Sequence, residues 1–105
     1  MTQDLPEGTV TIVFTDVVGS TDLTTALGDA VAQGIMRVQR ELVRQQIKSS
    51  GGYEVKGTGD GFMVAFQSAR RAVECAIGVQ RAISDHNQRQ PSGRRALIRI
   101  GMNAG

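Results

Sequence analysis

The run Thr9-Val-Thr-Ile-Val-Phe-Thr-Asp16-Val-Val-Gly19-Ser-Thr21 constrains the fold more than any other stretch of this chain. Residues 9–15 are all β-branched or aromatic. Val10, Ile12 and Phe14 alternate with Thr9, Thr11 and Thr15, and Val13 breaks the alternation. The pattern predicts a strand buried largely on both faces. Its end delivers one carboxylate, Asp16, onto a tight turn. Ser20 or Thr21 then serves as N-cap for a short helix over Asp22–Leu27, closed by Gly28. A second acidic turn stands further along, Lys56-Gly-Thr-Gly-Asp60-Gly-Phe62. Two carboxylates at strand ends, each beside glycines, are what a two-metal phosphoryl-transfer site requires.

The remaining elements follow from periodicity. A helix is predicted from about Ala30 to Lys48, with Val31, Ile35, Val38, Leu42 and Ile47 on its apolar stripe. Arg37, Gln39, Arg40 and Arg44 fill the other face, and Gly51-Gly52 ends it. Two strands come next, Tyr53–Gly57 and Phe62–Gln67, joined through Gly59-Asp60-Gly61, a hairpin turn expected to need positive φ at its centre. Phe62, Val64 and Phe66 share one side of the second strand, Met63 and Ala65 the other. A third helix, about Ser68 to His86, turns Ala69, Ala72, Val73, Ala76, Val79, Gln80 and Ile83 inward. A polar loop, His86–Arg94, leads to a last strand over Ala96–Asn103. After a polar lead-in at residues 1–8, the order is β, α in two pieces, β, β, α, β. This is an α+β, ferredoxin-like βαββαβ core, an antiparallel sheet with helices packed on one face.

The chain's 105 residues provide for one modest core. A net charge of +2, with arginines scattered along helices, gives no case for nucleic acid as a partner. The one cysteine, Cys75, allows no internal disulfide and sits at a helical position among Ala72, Val73, Ala76 and Ile77, so a buried thiol is expected. No apolar run approaches the ~20 residues that span a bilayer, and a cytoplasmic location is expected. His86 falls at a helix end, as a solvated or capping residue.

Asp16 ends a hydrophobic strand, where a carboxylate is costly to desolvate unless a cation offsets it. Read alone, it also suits a turn that caps the following helix, and Asp60 alone suits a plain hairpin. In the predicted sheet, however, strand one and the hairpin are central neighbours, which brings Asp60 beside Asp16. Mg²⁺ takes oxygen ligands, one or two of them carboxylates and the rest from phosphates and water. The amides of Val17, Val18, Gly19, Ser20 and Thr21, running into a helix N-terminus, suit a triphosphate.

Phe14-Thr-Asp16-Val-Val-Gly19-Ser-Thr21 resembles the first-strand motif of class III nucleotidyl cyclases. Lys56-Gly-Thr-Gly-Asp60-Gly-Phe62 resembles their second motif, and Ile98-Arg-Ile-Gly-Met-Asn-Ala-Gly105 their next strand. The resemblance runs from about residue 8 to 105, and Val17 and Val18 stand where the family often has Ile and Glu. It implies that Asp16 and Asp60 hold two Mg²⁺ (or Mn²⁺) ions, with the backbone carbonyl of Val17 as a further ligand. Residues 17–21 would hold the β- and γ-phosphates, and Lys56 would read the purine. A lysine there implies ATP rather than GTP, with conversion to cyclic AMP and pyrophosphate.

The family completes its site across a head-to-tail dimer. Its transition-state Asn and Arg come from a second half for which this chain has no counterpart; Arg99 and Asn103 lie before that point. Activity is therefore expected to need that half or a partner chain, with regulatory domains possible outside these residues. A homodimer or higher assembly is expected. The alternative is a catalytically inactive module that binds nucleotide and metal, or only assembles, on the same fold. The diguanylate cyclase and polymerase palm group is disfavoured, because no Gly-Gly-Asp/Glu-Glu-Phe-type hairpin occurs.

Overall fold

The computed structural model describes residues 10–104. The lead-in at 1–8, the strand's expected first residue Thr9, and Gly105 lie outside the described residues. The elements are β1 (Thr11–Val18), α1 (Ser20–Leu27), α2 (Asp29–Ser49), β2 (Tyr53–Gly57), β3 (Gly61–Phe66), α3 (Ala69–Gln88), a 3₁₀ turn over Ser92–Arg94, and β4 (Leu97–Ala104). The four strands form an antiparallel sheet in the order β2-β3-β1-β4. This is the expected βαββαβ architecture, with β1 and β3 at its centre.

Pairing fixes which side chains share a face. Val13 lies opposite Val64, Thr15 opposite Phe62, and Val17 opposite Ile98. These residues are buried in one core with Val43 and Ile47 of α2 and Ala72, Cys75, Val79 and Ile83 of α3. Both long helices therefore cover one face of the sheet. Ser68 caps α3, its hydroxyl accepting from the Arg71 amide at 3.2 Å. Cys75 is buried as expected, and burial pushes its thiol pKa up against a smaller opposing hydrogen bond with Ser50.

Three sequence expectations are corrected. First, β1 buries one face only, and that face carries Thr11, Val13, Thr15 and Val17. Phe14, on the more apolar-looking face, is 47% exposed. The helices cover only one side of the sheet, so hydrophobicity alone does not choose the buried face. β1 also runs on to Val18, because β4 pairs with it that far, so Asp16 lies within the strand rather than on the turn.

Second, α2 is rotated from its expected stripe. Ala32, Gln39, Val43 and Ile47 point inward, and Val38 is exposed. Gln39 tolerates full burial because its Nε2 donates to the Ala96 carbonyl at 2.9 Å, which also accepts from Asn87 Nδ2 at 2.8 Å. On α3 a similar shift brings Asn87 inward beside the expected Cys75 and leaves Val73 exposed.

Third, the β2–β3 connection contains no residue with positive φ; among the described residues only Gly19, Gly28 and Gly51 have it. The turn closes instead through the Thr58 amide, which donates to the Gly61 carbonyl at 2.9 Å, and the Gly61 amide, which donates to Thr58 Oγ1 at 3.2 Å.

Candidate functional site

The open face of the sheet carries Asp16. Asp16 lies opposite Gly61 on β3 and Arg99 on β4. At Gly61 the two central strands approach so closely that an added Cβ would lie 1.9 Å from the Thr15 carbonyl oxygen. Glycine is required there by proximity, not by φ. The same approach lets the Val17 amide donate to the Asp60 carbonyl at 3.1 Å and the Phe62 amide to Thr15 Oγ1 at 3.1 Å. The turn that carries Asp60 is thus tied to the residue after Asp16.

Gly19 forms the entry to α1. Its φ of 72° and ψ of 29° lie in the left-handed region, and it is the N-cap, with no side-chain cap. Ser20 and Thr21 therefore sit inside the helix rather than capping it. The Ser20 hydroxyl is turned across to Asp60 Oδ2 at 3.5 Å, a long contact. The uncapped first turn of α1 leaves backbone N–H groups beside the Asp60 turn. Of the five amides assigned to phosphate from sequence, Val17 is already committed to the Asp60 carbonyl and is withdrawn from that role.

Arg99 was not assigned to the site from sequence. Its Nη2 donates to Asp16 Oδ2 at 3.1 Å, with side-chain exposures of 71% and 47% for Arg99 and Asp16. The signal that would have found it is register: a strand-four arginine directly opposite Asp16. At such exposure the pair is weak and readily exchanged.

Lys56 is exposed on β2 opposite Met63. Together with Phe14, Asp16, Thr58 and Gly61, these two residues line an open concavity of about 410 Å³. Two side-chain pairs, Arg99–Asp16 and Ser20–Asp60, thus sit on adjoining segments joined by the Val17–Asp60 backbone bond, and Lys56 lies on the wall of the same hollow as Asp16. Among the described residues no cluster of three or more His, Cys, Asp or Glu side chains forms a metal site. Aspartate carboxylates and a serine hydroxyl are hard oxygen donors, the ligand type that Mg²⁺ or Mn²⁺ takes alongside phosphate and water.

A family model described as the adenylate and guanylate cyclase catalytic domain matches residues 3–105. The chain belongs to that family. It is 43% identical over 75 residues to an adenylate cyclase of Lachancea kluyveri, which covers 71% of this chain and 4% of that protein. Among solved structures, an adenylate/guanylate cyclase/hydrolase from Silicibacter pomeroyi shares 32% identity at a TM-score of 0.78, covering 93% of this chain and 57% of that one. A bacterial light-regulated adenylyl cyclase superposes with a TM-score of 0.86 over 95% of this chain and 55% of that one; at 18% identity it supports the fold alone. The domain is therefore partial. It spans little more than half of these cyclase structures and a small part of the curated relative. Among the described residues no helix is long and apolar enough to cross a membrane.

Proposed function

We propose that this domain supplies the metal- and phosphate-binding half of an adenylyl cyclase site, which turns ATP into 3′,5′-cyclic AMP and pyrophosphate. The observation that supports this most is the Val17–Asp60 backbone bond, which holds the turn that carries Asp60 beside the end of β1 that carries Asp16. Asp16 and Asp60 would hold two Mg²⁺ or Mn²⁺ ions, with the Val17 carbonyl as a further ligand. Bound cations supply acidification of the ribose 3′-hydroxyl and neutralise charge on the leaving pyrophosphate.

The chain's own groups then do the positioning. Gly19, Ser20 and Thr21 present amides to the β- and γ-phosphates at the start of α1, whereas Val18, paired with Leu97 in β1, is left out of that role. Lys56 is a donor without acceptor capacity, so it suits adenine N1, an acceptor, and disfavours guanine, whose N1 carries a proton. No side chain acts as nucleophile, since the substrate's own hydroxyl attacks in line. Residues 9–105 form the domain segment on this reading. The transition-state Asn and Arg come from the second half of a longer chain or from a partner, and a homodimer or higher assembly places them. The exposed Phe14, Val18 and Leu97 on the open face favour a second surface there.

Calorimetric titration of the folded chain with Mn²⁺–ATP tests the reading, beside Asp16→Asn and with Mn²⁺–GTP for comparison. Saturable heat with ATP, weaker with GTP and lost in Asp16→Asn, is expected. No heat from a folded wild-type sample would overturn it.

A further inference from the structure

We propose that Arg40, on the helix layer, is a positioning residue for the site: it holds the β2–β3 hairpin at the angle that sets Asp60 against Asp16 and Lys56 over the hollow. This rests on the function proposed above. β2 is an edge strand, bonded to β3 alone, and its pairing slips between Glu54 and Lys56. Edge position and irregular register leave β2 the less constrained arm of the hairpin, while β3 is held by β1. Lys56 lies on that arm, and the Asp60 turn, held by Val17 on its β1 side, depends on its β2 side on whatever fixes that arm.

Arg40 and Arg44 lie one turn apart on α2 and face the same neighbour. Their guanidinium carbons stand 4.6 and 5.2 Å from the centroid of the Phe62 ring. Phe62 follows Gly61 directly, at the root of the turn. Arg40 Nη1 donates to the Thr58 carbonyl at the hairpin tip, and Arg44 Nε pairs with Glu54 Oε1 at 3.3 Å, near the start of β2. The two arginines grip the hairpin at both ends and share one ring between them. Only Arg40 reaches the tip that carries Asp60. Its planar fork can stack on the ring and donate to a carbonyl at once, a combination that lysine does not reproduce.

The test uses Arg40→Ala, Arg40→Lys and Arg44→Ala in the full chain, with Mn²⁺–ATP calorimetry and amide hydrogen exchange read together. Arg40→Ala is expected to weaken Mn²⁺–ATP binding about tenfold to a hundredfold and to speed exchange of the Gly61 and Val17 amides. Exchange in the middle of β1 and the melting point should change little. Arg40→Lys should recover only part of the affinity, and Arg44→Ala should affect the tip less than Arg40→Ala. Wild-type affinity and wild-type exchange at Gly61 and Val17 in Arg40→Ala would overturn the proposal. So would uniform loss of protection across the sheet, the mark of a merely structural role. If wild-type chain binds no Mn²⁺–ATP, the proposed function fails, and the exchange data still decide whether Arg40 holds the hairpin.

Discussion

Replacing Gly61 by alanine should open the site and the sheet together. The added methyl would lie 1.9 Å from Thr15 O, 2.9 Å from Thr15 C and 3.3 Å from Asp16 Cα, all of them backbone atoms. Ordinary contact begins at 3.4 Å, so β1 and β3 must part locally by about 1.5 Å. Neither the Val17–Asp60 bond nor the Phe62–Thr15 bond, each now 3.1 Å, survives such a shift. Two lost hydrogen bonds cost about 1 kcal/mol each, and overpacking adds roughly 1–3 kcal/mol. The sum, roughly 3–5 kcal/mol, is a large share of a small domain's ~5–15 kcal/mol. It corresponds to a drop in Tm of more than about 10 °C. Urea and thermal unfolding followed by circular dichroism measure it, with Gly59→Ala as control, since a Cβ there meets nothing within 4 Å. Equal stability of the Gly61→Ala and Gly59→Ala proteins would refute the close-approach argument.

Other outcomes follow from the same structure. Gln39→Met should change stability by less than about 1.5 kcal/mol, because the Ala96 carbonyl keeps its Asn87 donor and the orphaned Gln39 Oε1 disappears. Gln39→Ala should cost about 2–4 kcal/mol through the cavity it leaves, as read by urea titration. Cys75 holds its proton more tightly folded than unfolded, so above the ordinary thiol range the unfolded chain loses a proton that the folded one keeps. Stability should therefore fall as pH rises through that window, and Cys75→Val should flatten the fall in a pH series of melts. Leu97, 63% exposed on edge strand β4, should contribute to self-association. Light scattering should find wild type above monomer mass and Leu97→Lys shifted toward monomer; a clean wild-type monomer would sink this.

Element order and sheet topology were legible because strand and helix periods differ sharply and glycines punctuate them. The nearness of Asp16 and Asp60 followed from topology alone, since a split βαβ arrangement puts β1 beside β3. Which face of each element is buried was less legible. Phe14 and Ile12 look more like core than Thr11 and Thr15, yet the helices cover the threonine side. Gln39 reads as a surface residue until the Ala96 carbonyl, far away in sequence, is seen to satisfy it. The Gly59-Asp60-Gly61 turn was expected to need positive φ at its centre, and the close approach at Gly61 went unseen, because contact distance between strands leaves no trace in a single sequence. Arg99 and Arg40 were missed for a related reason. One depends on exact β1–β4 register, the other on how α2 is rotated over the hairpin.

Paramagnetic mapping by NMR tests most directly the claim that Asp16 and Asp60 form one cation site. With substoichiometric Mn²⁺ and ATP added to the folded chain, the amide signals of Val17, Gly19, Ser20 and Gly61 should broaden first. In Asp60→Asn that broadening should largely disappear. Broadening centred elsewhere, or unchanged in Asp60→Asn, would contradict the account.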